Sequence, residues 1–190
     1  MLRFFGNIIQ LIFSPQSGWE DLERDDFRPD GSRGDIDIRH LYLRCFLPTV
    51  LLCSLTAFVR MAYGEDFLGT LQTVIIEFFS LFLSYHVAVY LFSWLMPRIM
   101  EPDQGPDHRR DAIMIMYCMA VIALIFLLGN IIKVKLAMIQ LLPFYVVFII
   151  WKGAGYIGVP ERSLGAYMFI ASASILGTVY GLSFLFHVLI

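Results

Sequence analysis

An all-α, polytopic membrane protein is the fold this sequence predicts: a five-span helical bundle with an interfacial amphipathic helix at its N-terminus. Three observations carry that reading. The chain is 58% hydrophobic and 16% charged, where a soluble domain carries about a quarter of charged residues, and its mean hydropathy is +0.72. Apolar runs recur along the chain, and a span needs roughly 20 apolar residues at 1.5 Å rise each. Arginines and lysines fall unevenly between alternate connecting segments, as they do in membrane proteins of fixed orientation. The expected division is a cytoplasmic segment, 1–40, and a membrane domain, 41–190, with spans at about 41–63, 67–97, 112–129, 134–151 and 165–188. A net charge of −2 argues against nucleic acid, which needs a basic face.

The opening MLRFFGNIIQLIF is apolar but too short to span before Ser14-Pro15. It lacks a small-residue cleavage site, and an acidic stretch follows, which argues against a cleaved signal peptide. Leu2, Phe5, Ile9 and Ile12 share one helical face, with Arg3 and Gln10 toward the other. That pattern predicts a helix lying on the membrane; the alternative is a short helix packed on the bundle. Ser17 and Glu20 have capping-box spacing, and Trp19 between them suits the headgroup level, half wet. Residues 20–37 mix many acids with a few arginines, Pro29, Gly31 and Gly34. Without fixed ligand spacing they read as a solvated linker rather than a metal site.

Span one carries Arg44 and Arg60 near its ends, where both can snorkel to the interfaces. The turn Gly64-Glu65-Asp66 leads into span two, the longest run. A polar loop at 98–111 holds Pro102 and Pro106, which exclude a continuous helix. Span three is almost purely aliphatic, and a short link around Asn130 leads to span four, where Pro143 predicts a kink. WKGAGYIGVPERS then reads as a tight loop before span five. Placing the N-terminus inside puts Arg3, Arg24, Arg28, Arg33, Arg39, Arg98, Arg109, Arg110, Lys152 and Arg162 on the cytoplasmic side. Only Lys133 and Lys135 fall outside, with Arg60 at a border, so the reading is N-terminus in and C-terminus out.

Span two holds the residues with most chemical potential. Glu77 and His86 lie within it, and an ionisable group at membrane depth is costly enough to be a functional candidate. Thr70, Thr73, Glu77, Ser80 and Ser84 share one face; Gln72, His86, Tyr90 and Ser93 share the opposite one. Glu77 and His86 therefore cannot pair on one helix. With the middle of the span near Phe82, each lies roughly 6–8 Å from the midplane. Glu77 reads either as a proton or cation site facing a cavity, or as a hydrogen-bonded acid holding span two to a neighbour. Gln140 is the other strongly polar residue deep in a span, and His86 reads as a structural hydrogen-bond donor. His40, His108 and His187 are scattered, so no metal site is expected, and no cofactor. Cys45, Cys53 and Cys118 lie in apolar runs without CxxC spacing and read as small buried hydrophobes. Ala173, Gly177 and Gly181 form a small-residue ridge that lets helix backbones approach, inside this bundle or in a dimer. No nucleophile elbow, phosphate loop or paired carboxylates argue for an enzyme.

The run FYVVFIIWKGAGYIGVPERSLGAYMFI, with its aromatic and glycine close to span four and its GVP turn before span five, resembles the Yip (Ypt-interacting protein) domain family. FSPQSGWEDL is similar to the SPxxxW opening of bacterial members. The resemblance covers most of the chain and implies a five-span fold in a bacterial inner membrane and a membrane-organising role with no reaction attached. The expected function is a non-enzymatic scaffold or adaptor that binds membrane proteins, itself or lipid. The alternative is a small proton- or ion-coupled transporter using Glu77. Expected partners are membrane lipids and a second copy or another membrane protein.

Overall fold

The computed structural model describes residues 2–26, 37–98, 108–132 and 137–189. Among them the chain is all-α, in seven helices: α1 Leu2–Phe13, α2 Pro15–Asp26, α3 Ile38–Tyr63, α4 Phe67–Leu95, α5 His108–Ile131, α6 Ala137–Ile157 and α7 Glu161–Leu189. Four of these, α3, α4, α5 and α7, are long and apolar enough to cross a membrane. The fifth expected span, 134–151, corresponds to α6, whose described apolar stretch is Leu141–Ile157, shorter than the other four. Residues 133–136, with Lys133 and Lys135, lie outside the described residues, as do the acidic linker 27–36 and the polar loop 99–107.

α5 is the axis of the bundle. It is apolar nearly all round, and Ile113 to Ala123 are all buried, as expected for a helix enclosed by others. α3, α4 and α6 pack around it. Arg110, in the first turn of α5, donates from Nη1 to the carbonyl of Tyr156 at the far end of α6, 2.9 Å away. α6 therefore runs antiparallel to α5 and returns along the bundle. The three cysteines are buried and free, Cys45 and Cys53 in α3 and Cys118 in α5.

α3 is irregular for a local reason. Pro48 has no N–H to offer the carbonyl of Arg44, and its ring crowds that carbonyl. The preceding turn, Tyr42–Phe46, widens to a π-helix, with the N–H of Leu47 bonding back to the carbonyl of Tyr42. Asp37 caps the start by accepting from the N–H of Arg39, 2.9 Å away, and the helix tightens to 3₁₀ over Thr56–Tyr63.

α4 and α7 form the most extensively packed helix pair. Phe92 meets Tyr167 edge-on, with ring centroids 5.7 Å apart. From that antiparallel register, Ala88 comes level with Ala171, Ser84 with Ser174, and Ser80 with Thr178, all of them buried. Small side chains let the two backbones approach, which is how helices associate where lipid supplies no hydrophobic drive.

The N-terminal reading needs three corrections. The face of α1 that carries Phe5, Ile9 and Ile12 is not its only apolar one. Phe4, Ile8 and Leu11 are the buried residues, whereas Ile9 and Phe13 are 53% and 84% exposed. The helix is apolar on two sides, and the side that meets α2 and α5 is the one a periodicity count does not favour. Ser17 is not a helix cap: α2 begins at Pro15, a residue suited to the first helical position because its missing N–H has no helical partner anyway. Ser17 instead hydrogen-bonds Ser14 through their hydroxyls, 3.1 Å apart. Trp19 is not half wet but 2% exposed.

Trp19 is the pin of this hairpin. Its indole Nε1 donates to the carbonyl of Ile149 on α6, 2.9 Å away, and its ring stacks on Tyr156 at 5.4 Å. Gly153 leaves the space for it: a Cβ there would stand 2.9 Å from Cε2 of the indole. Tyr145 on α6 donates to the carbonyl of Ile12, 2.7 Å away, and Asn7 to the hydroxyl of Tyr117 on α5, 3.3 Å away. This docking explains a further correction. WKGAGY is not a loop, because α6 continues through Ile157. It stops at Gly158, whose φ of +79° suits only glycine comfortably. The N–H groups of Gly158 and Val159 both return to the carbonyl of Ala154, and Pro160 follows.

Candidate functional site

Two cavities, named outer and inner after the orientation expected from the sequence, open toward opposite ends of the bundle and separate the two candidate residues of α4. The outer cavity, about 380 Å³, is lined by Glu77, Arg60, Asn130, Tyr180, Ser183 and His187 among others. The inner cleft, about 1000 Å³, is lined by Arg39, Tyr42, His86, Tyr90, Ser93 and Arg109 among others. Glu77 and His86 project from opposite faces of α4 into different spaces, as their spacing predicts.

Glu77 owes its position to Asn130. The amide Nδ2 of Asn130 donates to Oε2 of Glu77, 2.9 Å away, and reaches toward Oγ1 of Thr56 at 3.4 Å. That orientation of the amide is the one a carboxylate requires, since turning it would set two acceptors against each other. It leaves Asn130 Oδ1 buried without a hydrogen-bond partner, on a residue only 3% exposed. Asn130 is the penultimate residue of α5, and Ser183 and His187 lie in the last turns of α7. Glu77 thus shares its cavity with residues from the last turns of α5 and α7.

The polar face of α4 serves two purposes. Glu77 and Thr73 line the outer cavity, with the hydroxyl of Thr73 bonded to the carbonyl of Gly69, 3.0 Å away. Thr70, Ser80 and Ser84 are instead fully buried; for Ser80 and Ser84, level with α7, small volume is what the packing uses. On the other face, Nε2 of His86 lies 3.0 Å from the hydroxyl of Tyr42 on α3, with the imidazole edge-on to the rings of Tyr42, Tyr85 and Phe82. Gln140 lies in the first turn of α6, and its side chain is outside the described residues. Ala173, Gly177 and Gly181 lie on the exposed face of α7, with nothing within 4 Å of a Cβ placed on either glycine. The ridge that packs α7 into this bundle is Ala171, Ser174 and Thr178, offset from them.

Sequence reading missed Asn130, Arg60 and His187 as members of one site. Asn130 reads as a link residue, and only its pairing with Glu77 across 53 positions gives it a role. Its one local signal is polarity at the end of an otherwise aliphatic span. No protein-family model, no curated protein and no solved structure matches the chain.

Proposed function

We propose that the protein is a non-enzymatic membrane scaffold of the Yip type, binding other membrane proteins, itself or lipid. In this reading α6 completes a fifth crossing, the N-terminus is cytoplasmic and the C-terminus outside, and the membrane is a bacterial inner membrane. The observation that supports assembly is the doubling of small-residue ridges on α7. One ridge, Ala171, Ser174 and Thr178, is used against α4, while Ala173, Gly177 and Gly181 face outward beside the exposed Phe169 and Phe184. A second ridge with open space above it fits close approach by another helix, and a second copy of α7 offers the same surface in return. Gly177→Leu and Gly181→Leu are expected to abolish cross-linking of the chain to itself in native membranes while leaving the monomer's thermal unfolding unchanged. Undiminished cross-linking by both variants would remove the assembly surface.

One observation favours a second reading, a small proton- or ion-coupled carrier. Glu77 lines a cavity of about 380 Å³ together with Arg60 and His187, and intramembrane acids commonly mark such pathways. It predicts that Glu77→Gln abolishes a pH-dependent flux in proteoliposomes without altering cross-linking. Flux that is insensitive to this substitution would exclude Glu77 as the coupling group, and the scaffold reading expects no effect on assembly.

A further inference from the structure

The outer cavity is lined by groups of opposite charge. Its acceptors include the carboxylate of Glu77, and Asn130 beside it carries a buried, unpartnered Oδ1. Asn130 donates to one carboxylate oxygen of Glu77, and its own Oδ1 is the acceptor left without a partner. An orphaned buried acceptor carries a desolvation cost that a donor entering the cavity would relieve. The remaining charged and titratable groups around the cavity are Arg60 on α3, and Tyr180 and His187 on α7. Arg60 is a permanent cation with a fork of donors, suited to a carboxylate or phosphate. The volume, about 380 Å³, is an order of magnitude above the roughly 30 Å³ of one water. It suits a small organic group better than a bare ion.

We propose that this cavity binds a primary ammonium that carries an anionic group a few bonds away, the ammonium on Glu77 and Asn130 and the anion toward Arg60. That chemistry has two sources: the headgroup of phosphatidylethanolamine, or a free solute of the same kind. The level of the site, at the outer ends of α5 and α7, admits either one. The inference does not depend on assembly, since no residue of the outward α7 ridge lines the cavity; with the carrier reading it shares the cavity, Glu77 and Arg60.

The test is native mass spectrometry of the full chain loaded with phosphatidylethanolamine or with phosphatidylcholine of identical acyl chains. A trimethylated ammonium has charge but no N–H to donate, so the comparison reads the hydrogen bonds themselves. Phosphatidylethanolamine is expected to be retained at least about tenfold over phosphatidylcholine, the difference that hydrogen bonds to a charged group support. Glu77→Gln and Arg60→Gln should each erase most of that preference. Glutamine at 77 still accepts from Asn130, and Arg60 lies in the terminal 3₁₀ turn of α3, so a variant that fails to fold leaves the other to decide. A third arm adds O-phosphoethanolamine to protein holding only phosphatidylcholine. Retention there, lost in the same variants, assigns the site to a free solute. Equal retention of both lipids with no binding of O-phosphoethanolamine overturns the proposal, as does a preference that survives in both variants. Oligomer mass and ligand adducts are resolved separately in the same spectrum, so failure of assembly and failure of this site are distinguishable.

Discussion

Trp19→Ala is expected to cost about 3–5 kcal/mol, the range for emptying a buried tryptophan site. The indole is 2% exposed and stacks on Tyr156, and its N–H bonds a carbonyl across 130 positions of chain. Alanine keeps none of these contacts and leaves a slot beside Gly153 that the backbone of α6 cannot close. The loss is local in consequence, because α1 and α2 are held to the bundle by few other polar contacts in the described residues, chiefly Tyr145 to Ile12 and Asn7 to Tyr117. Limited proteolysis in detergent should therefore cut within the first 26 residues many times faster than in the parent, with thermal unfolding of the remaining helices shifted less. A proteolysis rate equal to the parent's would show that Trp19 is not the pin. Phenylalanine at this position tests the hydrogen bond separately, and a loss of about 1 kcal/mol is expected for it.

The second large effect belongs to the seam between α4 and α7. Ala171 is fully buried there, level with Ala88 by the register that Phe92 and Tyr167 define. Ala171→Leu places a branched side chain where two backbones approach closely, and overpacking of this kind costs about 1–3 kcal/mol or forces the helices apart. The informative comparison is Gly177→Leu, a larger change in side-chain size six residues along the same helix. It meets open space, so it should leave monomer stability untouched. Thermal unfolding of the two variants in one detergent checks the contrast. Equal destabilisation by both would mean that α7 is rotated from the orientation described, with the glycine ridge inward.

These two predictions also show where local pattern stops being informative. Span two was legible because a run of apolar residues has one physical solution in a bilayer, a helix with its backbone groups bonded internally. The opposition of Glu77 and His86 was legible for the same reason, since helical geometry alone separates their faces. α7 was legible as a span but not in its rotation. It carries two ridges of small residues, and periodicity does not say which one meets α4. WKGAGYI was misread because glycine usually weakens a helix, while here Gly153 is required by a tryptophan from a distant segment. Trp19 itself was placed by its general liking for interfaces, which gave way to a buried carbonyl and a stacking partner. Apart from Ser17, where Pro15 in the same helix decides, each error falls where the deciding neighbour is more than a hundred positions away or on another helix.

Local pattern was enough to establish an all-α membrane protein, the stretches that form its long helices, and an acid and a histidine on opposite sides of one of them. Those properties follow from hydropathy, helical period and the cost of unsatisfied backbone in lipid, all of which act within one segment. The tertiary structure alone decided that Asn130 holds Glu77, that Arg60 and His187 share its cavity, and that the N-terminal hairpin is pinned by Trp19. It also decided that the glycine ridge of α7 faces outward. Those properties depend on helix register and rotation, which are set by side chains meeting across the bundle and leave no periodic trace in any one helix.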